Sequence, residues 1–234
     1  MTAHANSTRQ TLSEALARVI PDAELDTVSL PDSRGLELHL LQESYPQHRL
    51  EGDAVVRIMD EPMYWAFCWA AGQSLACFLL ENPGYLKGRR VLDFGTGSGV
   101  VAIAAALGGA GSVVACDTDP LAREACLLNA SHNNVGVEVI GGLDELAGPL
   151  DLILAADVLY DRSNLDWLGR FLDRAPQVLL ADSRIKDFNF HGYQLLETRH
   201  SHTLPDLDES QEFREVKVYL GERPRRPEEN LAHV

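Results

Sequence analysis

The chain has 234 residues, of which 45% are hydrophobic and 24% charged, and a formal net charge of −15 at pH 7. That length fits one large α/β domain with an extension, and the apolar fraction is ample for a packed core. The acidic surplus argues against a nucleic-acid partner, whose phosphates are drawn to basic surfaces, and no run of about 18 apolar residues argues for a membrane span.

In chain order, Leu12, Ala15, Leu16 and Val19 recur at helical spacing, which predicts an amphipathic helix over about 7–19. Leu36-Glu37-Leu38-His39-Leu40 alternates as a strand does. Residues 1–60 are read as an N-terminal extension, a cap or small hairpin near the active site, with no basic-then-apolar leader at its start. The main domain is assigned to 61–221. An aromatic run, Tyr64-Trp65-Ala66-Phe67-Cys68-Trp69, leads into a helix over about 71–80 that Asn82-Pro83-Gly84 ends.

Val91-Leu92-Asp93-Phe94 is an apolar strand running into Gly95-Thr96-Gly97-Ser98-Gly99, and that turn opens a helix beginning at Val100. Such a strand, turn and helix begins nucleotide-type folds, where ligands sit beyond the carboxyl ends of the strands. Glycines at 95, 97 and 99 depart from the G-x-G-x-x-G of dinucleotide turns. Asp93 just before them would repel a pyrophosphate and suits a ligand that brings an ammonium. On the turn alone an NAD-type site remains an alternative. About 20 residues on, the strand 112–116 ends at Asp117, placed to accept ribose hydroxyls from any adenosine ligand. Asp119 is read as the N-cap, with Pro120 at the first position, of a helix over about 121–133. Asn129 is read as satisfying backbone groups at that helix's end.

Further strands are expected at 137–140, 151–157, 177–181, 197–204 and 214–220, with helices over 165–174 and near 190–196. Strands alternating with helices imply a parallel sheet, and the last two strands read as an antiparallel hairpin. The charged, proline-rich residues 222–234 are read as a mobile tail. Cys68, Cys77, Cys116 and Cys126 show neither C-x-x-C nor zinc spacing, so free thiols in the cytoplasm and no metal site are expected. Asp157 and Tyr160 stand three residues apart past the carboxyl end of a strand. Asp157 reads as a group facing the reaction pocket or as a helix N-cap, and Tyr160 as a pocket wall or as core.

Asp-x-Gly-x-Gly-x-Gly from Asp93 to Gly99 resembles the first motif of the class I S-adenosylmethionine-dependent methyltransferases. Asp157-x-x-Tyr160 resembles the signature of the seven-strand protein lysine methyltransferases. Trp65-Ala66-Phe67-x-Trp69-x-x-Gly72-Gln73-x-Leu75 is similar to the pre-motif of the lysine methyltransferases acting on the electron-transfer flavoprotein β-subunit, a likeness running from about 62 to 172. Two departures stand out: the turn is Gly-Thr-Gly-Ser-Gly, and Asp182-Ser183-Arg184 stands where that family tends toward Asp-Pro-x-Arg.

The resemblance implies a Rossmann-like, doubly wound, mostly parallel seven-stranded sheet with an antiparallel C-terminal hairpin and an N-terminal helical and β extension. It implies S-adenosyl-L-methionine as cofactor, held by Trp69, Asp93, Gly95, Thr96, Gly97, Gly99, Asp117 and Ala156. It further implies catalysis by Asp157 and Tyr160 on a protein lysine, with the electron-transfer flavoprotein β-subunit as the indicated partner. No nucleic acid, membrane or metal is expected, and a monomer or weak oligomer is. A small-molecule N- or O-methyltransferase, or a non-catalytic S-adenosylmethionine-binding protein, stays open as the alternative, since fold does not fix substrate.

Overall fold

A computed structural model describes residues 3–45, 62–159, 162–185, 188–206 and 210–224. Seven strands form one sheet: β3 (Arg90–Phe94), β4 (Ser112–Cys116), β5 (Glu138–Ile140), β6 (Leu152–Ala156), β7 (Gln177–Asp182), β8 (Tyr193–His200) and β9 (Glu215–Glu222). Their spatial order is β5-β4-β3-β6-β7-β9-β8. The first five are mutually parallel, and β9 runs antiparallel to both β7 and β8. This is the architecture expected from the chain's alternation of strands and helices. Strand order reverses at β3, so the crevice at the carboxyl ends of β3 and β6 is the natural ligand position.

The two faces of the sheet follow from the period of two along each strand. Val91, Leu152, Leu154, Leu179 and Ala181 enter one core, together with α2 (Ala70–Glu81) and α3 (Val100–Leu107). Leu92, Ile153, Ala155, Val178 and Leu180 enter the other, against Leu168 and Phe171 of α5 (Asp166–Arg174). Val100 to Ala105 are all buried, which is why α3 carries no polar stripe. The completely buried ring of Phe171 alone contributes roughly 1.5–3 kcal/mol.

The N-terminal layer lies on the outside of α4 (Pro120–His132). Leu12, Leu16 and Val19 of α1 (Ala3–Val19) share a core with Ala122, Ala125 and Leu128 of α4, and with Trp65, which is buried packing. A hairpin of β1 (Leu25–Ser29) and β2 (Glu37–Leu41) is stitched to the same helix. His39 N donates to Asn129 Oδ1 at 2.7 Å, and Asn133 Nδ2 donates to the Glu37 carbonyl at 2.6 Å. Asn129, fully buried, also donates from Nδ2 to the Ser98 carbonyl at 2.8 Å. It satisfies backbone groups of two other elements, not of its own helix end.

Three expectations change. The helix near 190–196 is instead the start of edge strand β8, paired with β9 and irregular between Leu195 and Glu197. Phe190, Tyr193 and Leu196 mimic helical spacing, but antiparallel pairing with β9 decides the backbone. The hairpin lies over α4, and it is α1 that reaches toward the cavity. Glu222, read as the first residue of a tail, belongs to β9, and 225–234 lie outside the described residues. Among the described residues no helix is long and apolar enough to cross a membrane.

Candidate active site

The carboxyl ends of β3, β4, β5 and β6 open into one cavity of about 1070 Å³. Its floor is the glycine turn. Gly95, Gly97 and Gly99 have φ of +72°, +49° and +84°, a left-handed path that L side chains rarely adopt. At Gly97, which lines the cavity, a Cβ would have only the Tyr64 carbonyl at 4.0 Å nearby, so the backbone there is bare toward the ligand space. Gly99 serves packing instead: a Cβ would come within 2.9 Å of Cys126 Cα on α4.

Asp117 ends β4 on the cavity wall. Gly97 N donates to its Oδ2 and Asp119 N to its Oδ1, both at 3.0 Å. The carboxylate is thereby fixed in orientation, with lone pairs left for hydroxyl donors. Burial pushes its pKa above the usual carboxylate range. Asp119 caps α4 as expected, accepting from Leu121 N at 2.8 Å.

Asp93 departs from expectation. Its side chain is buried behind the turn, where Thr96 Oγ1 donates to Oδ2 at 2.6 Å and Ala102 N at 3.1 Å. Burial pushes its pKa up to about 7. Asp93, Thr96 and Gly99 do not line the cavity; they brace the turn from within. The sequence alone could not separate the two arrangements, because a carboxylate before the first glycine can turn either way.

Asp157 follows β6 with φ +51°, a left-handed backbone whose strain is often found at functional sites. Its N–H donates to the Ala181 carbonyl at 3.0 Å. Ser183 donates to its Oδ1 twice, from N at 3.1 Å and from Oγ at 2.8 Å. Asp157 lines the cavity, while its Oδ2 is shut from solvent with no hydrogen-bond partner among the described residues. Burial, then the nearby Asp182 charge, pushes its pKa up to about 6. It is not a helix N-cap: α5 begins at Asp166, with Leu165 before it. Tyr160 lies outside the described residues.

Trp69 and Ala156, which the resemblance implies as cofactor contacts, also line the cavity. Trp69 Nε1 donates to the Tyr64 carbonyl at 3.0 Å, and its ring meets Tyr64 edge-on at 5.8 Å. Sequence reading missed several other wall residues. Gly141, Gly142 and Leu143 follow β5, Phe94 and Trp167 form an aromatic side at 4.6 Å centroid separation, and Arg18 and Arg184 stand at the wall from α1 and from beyond β7. For Gly141, Gly142, Leu143 and Arg184 the only available signal was a position past a strand end, whereas Arg18 and Trp167 lie on helices and carried none. Among the described residues no group of three His, Cys, Asp or Glu side chains is placed to hold a metal ion.

The sheet order and the cavity-lining glycine turn define the Rossmann-like fold of the class I methyltransferases. A solved 16S rRNA methyltransferase of T. thermophilus, in complex with AdoMet and guanosine, shares that fold at TM-score 0.55 and 17% identity, over 86% of this chain and 50% of that one. The family model of the ribosomal protein L11 methyltransferase matches residues 73–161. More particularly, the chain is similar to the electron transfer flavoprotein beta subunit lysine methyltransferase. It is 40% identical to that of Xenopus laevis over 136 residues, 55% of either chain, and 41% identical to that of Danio rerio over 155 residues. The latter match covers 61% of this chain and 59% of the relative, so the chain spans somewhat over half the length of these curated relatives.

Proposed function

We propose that this protein is an S-adenosylmethionine-dependent methyltransferase acting on lysine side chains of a protein, with a substrate like the electron-transfer flavoprotein β-subunit named for its relatives. The observation that carries the reading is that one cavity runs from Asp117, past the bare backbone of Gly97, to Asp157, whose buried Oδ2 has no hydrogen-bond partner among the described residues. The cofactor fits this wall: Asp117 is pre-oriented for ribose hydroxyls, and Trp69 and Leu143 offer apolar surface to the rest of the nucleoside. When bound, S-adenosylmethionine supplies a methyl group activated by a sulfonium.

The chain's own residues must then deliver a neutral amine. A lysine ammonium has no lone pair to attack with, and its reference pKa near 10.4 opposes deprotonation at neutral pH. The apolar wall of Phe94, Val158 and Trp167 favours the neutral amine by desolvation. Asp157, ionised above about pH 6, offers Oδ2 to hold and orient it. A carboxylate beside an amine by itself raises the amine's pKa, so Asp157 acts by placement, and in-line geometry supplies most of the acceleration. The net charge of −15 supports a protein over a nucleic-acid substrate.

Incubation with labelled S-adenosylmethionine and purified electron-transfer flavoprotein, then with cell extract, tests this. Label in a protein band is expected; label confined to small metabolites would replace the reading with a small-molecule methyltransferase. Asp157→Ala should abolish transfer and keep cofactor affinity. Asp117→Ala should weaken that affinity roughly 10–100-fold by calorimetry, the loss of one or two hydrogen bonds to a charged group.

A further inference from the structure

We infer that Ser183 is a positioning residue of the acceptor site, clamping one oxygen of Asp157 so that the other is presented to the incoming amine. What the acceptor is rests on the function proposed above; the clamp itself does not.

The geometry is specific. Both donors of one residue, N and Oγ, converge on Asp157 Oδ1, at 3.1 and 2.8 Å. A carboxylate gripped twice on one oxygen has little freedom to rotate about its last side-chain torsion, so Oδ2 is confined to one direction. Oδ2 has no partner among the described residues and no solvent. A buried acceptor without a donor costs free energy, which a donor arriving from outside would recover. The backbone is pinned too: Asp157 N donates to the Ala181 carbonyl, so β6 and β7 meet at both ends of this residue.

Ser183 is itself held. Asp182 Oδ1 accepts from Arg184 N at 2.8 Å and Ile185 N at 2.7 Å, which closes the turn after β7 with Ser183 inside it. The charges acting on Asp157 are Asp182, of like sign, and Arg184, of opposite sign, while Lys217, the register partner of Asp182 on the adjacent strand β9, acts on Asp182. Both Ser183 hydrogen bonds favour the ionised form of Asp157, opposing the burial that disfavours it. Ser183 therefore controls two properties at once, the aim of Oδ2 and its charge near neutral pH.

Ser183→Ala removes the hydroxyl donor and keeps the backbone one, and Ser183→Thr restores a hydroxyl. The Asp157 carboxyl is followed by carbon-13 chemical shift against pH in the 234-residue chain without added ligand, with Asp157→Asn to assign the signal. In Ser183→Ala its midpoint is expected to rise by roughly one pH unit, since one charge-assisted hydrogen bond is lost, and in Ser183→Thr to return. In methyl transfer, Ser183→Ala should lower kcat roughly 5–10-fold at pH 7 and move the acid limb of the profile up with the midpoint, leaving cofactor affinity unchanged; Thr should rescue. An unmoved carboxyl midpoint in Ser183→Ala, or a shifted midpoint with unchanged kcat and acid limb, would overturn the inference. A shifted midpoint in a protein whose wild type transfers no methyl group to any protein would leave the clamp standing and sink the proposed function instead.

Discussion

Replacing Gly99 with alanine tests the packing logic of the turn most directly. Gly99 has φ +84°, and a left-handed backbone costs an alanine about 1–2 kcal/mol. The added Cβ would lie 2.9 Å from both Cα and Sγ of Cys126, so part of the clash is with the backbone of α4 and cannot be relieved by a rotamer change. Overpacking of this kind adds about 1–3 kcal/mol. A combined loss of about 3 kcal/mol lowers Tm by roughly 6–12 °C in a protein of this size. Differential scanning calorimetry of Gly99→Ala beside Gly136→Ala, whose Cβ would meet nothing within 4 Å, separates packing from a general glycine effect. Adding Cys126→Ala should not restore the loss, because the clash with the backbone of α4 persists when the sulfur is removed. A Tm within 2 °C of wild type, or full rescue by Cys126→Ala, would refute the reasoning.

Two further outcomes are expected. Asn129→Ala leaves the His39 amide and the Ser98 carbonyl buried without partners and should cost about 2–4 kcal/mol in urea unfolding, a loss below 1 kcal/mol contradicting its bridging role. For Asp157 the folded pKa of about 6 lies above the unfolded reference of 3.8, so folding favours the protonated acid. Its contribution is therefore most favourable below about pH 4 and is lost as pH rises through about 6, by roughly 2–3 kcal/mol in all. Asp157→Asn removes that dependence, so wild type should lose stability relative to the variant between pH 4 and 6 and hold a constant difference above. His39, whose pKa burial lowers to about 4, titrates in both proteins and cancels in the comparison. A difference flat across that range would show that Asp157 is not desolvated.

Much of the architecture was legible because patterns here are strong. The strand-turn-helix from Val91, the carboxylate at Asp117 and the cap at Asp119 each follow from one local rule, and the structure has all three. β8 was misread because an edge strand open on both faces carries no clean alternation, and its aromatic and leucine spacing imitates a helix. The inward turn of Asp93 is fixed by Thr96 Oγ1 and by Ala102 N in the following helix, and the spacing of acid and glycines does not say on which side of the turn that carboxylate packs. Ser183 was visible in the sequence as a departure from a family pattern, but its hydrogen bonds to Asp157 span 26 residues and emerge only when β6 and β7 pair. The wall after β5 was unreadable for the same reason: glycines at 141 and 142 acquire meaning only when β5 pairs with β4 and brings them to the cavity beside Asp117.

Asn129 fastens a carbonyl of the glycine turn and an amide of the outer hairpin to a single side chain. Structures tied through one knot tend to open together, as a cooperative unit. Amides around Ser98 and those of β2 should therefore exchange with solvent in a shared event. The front layer would then act as a guy-rope for the glycine turn that floors the cavity, and slackening it would be felt first in that turn, well before the sheet itself gives way.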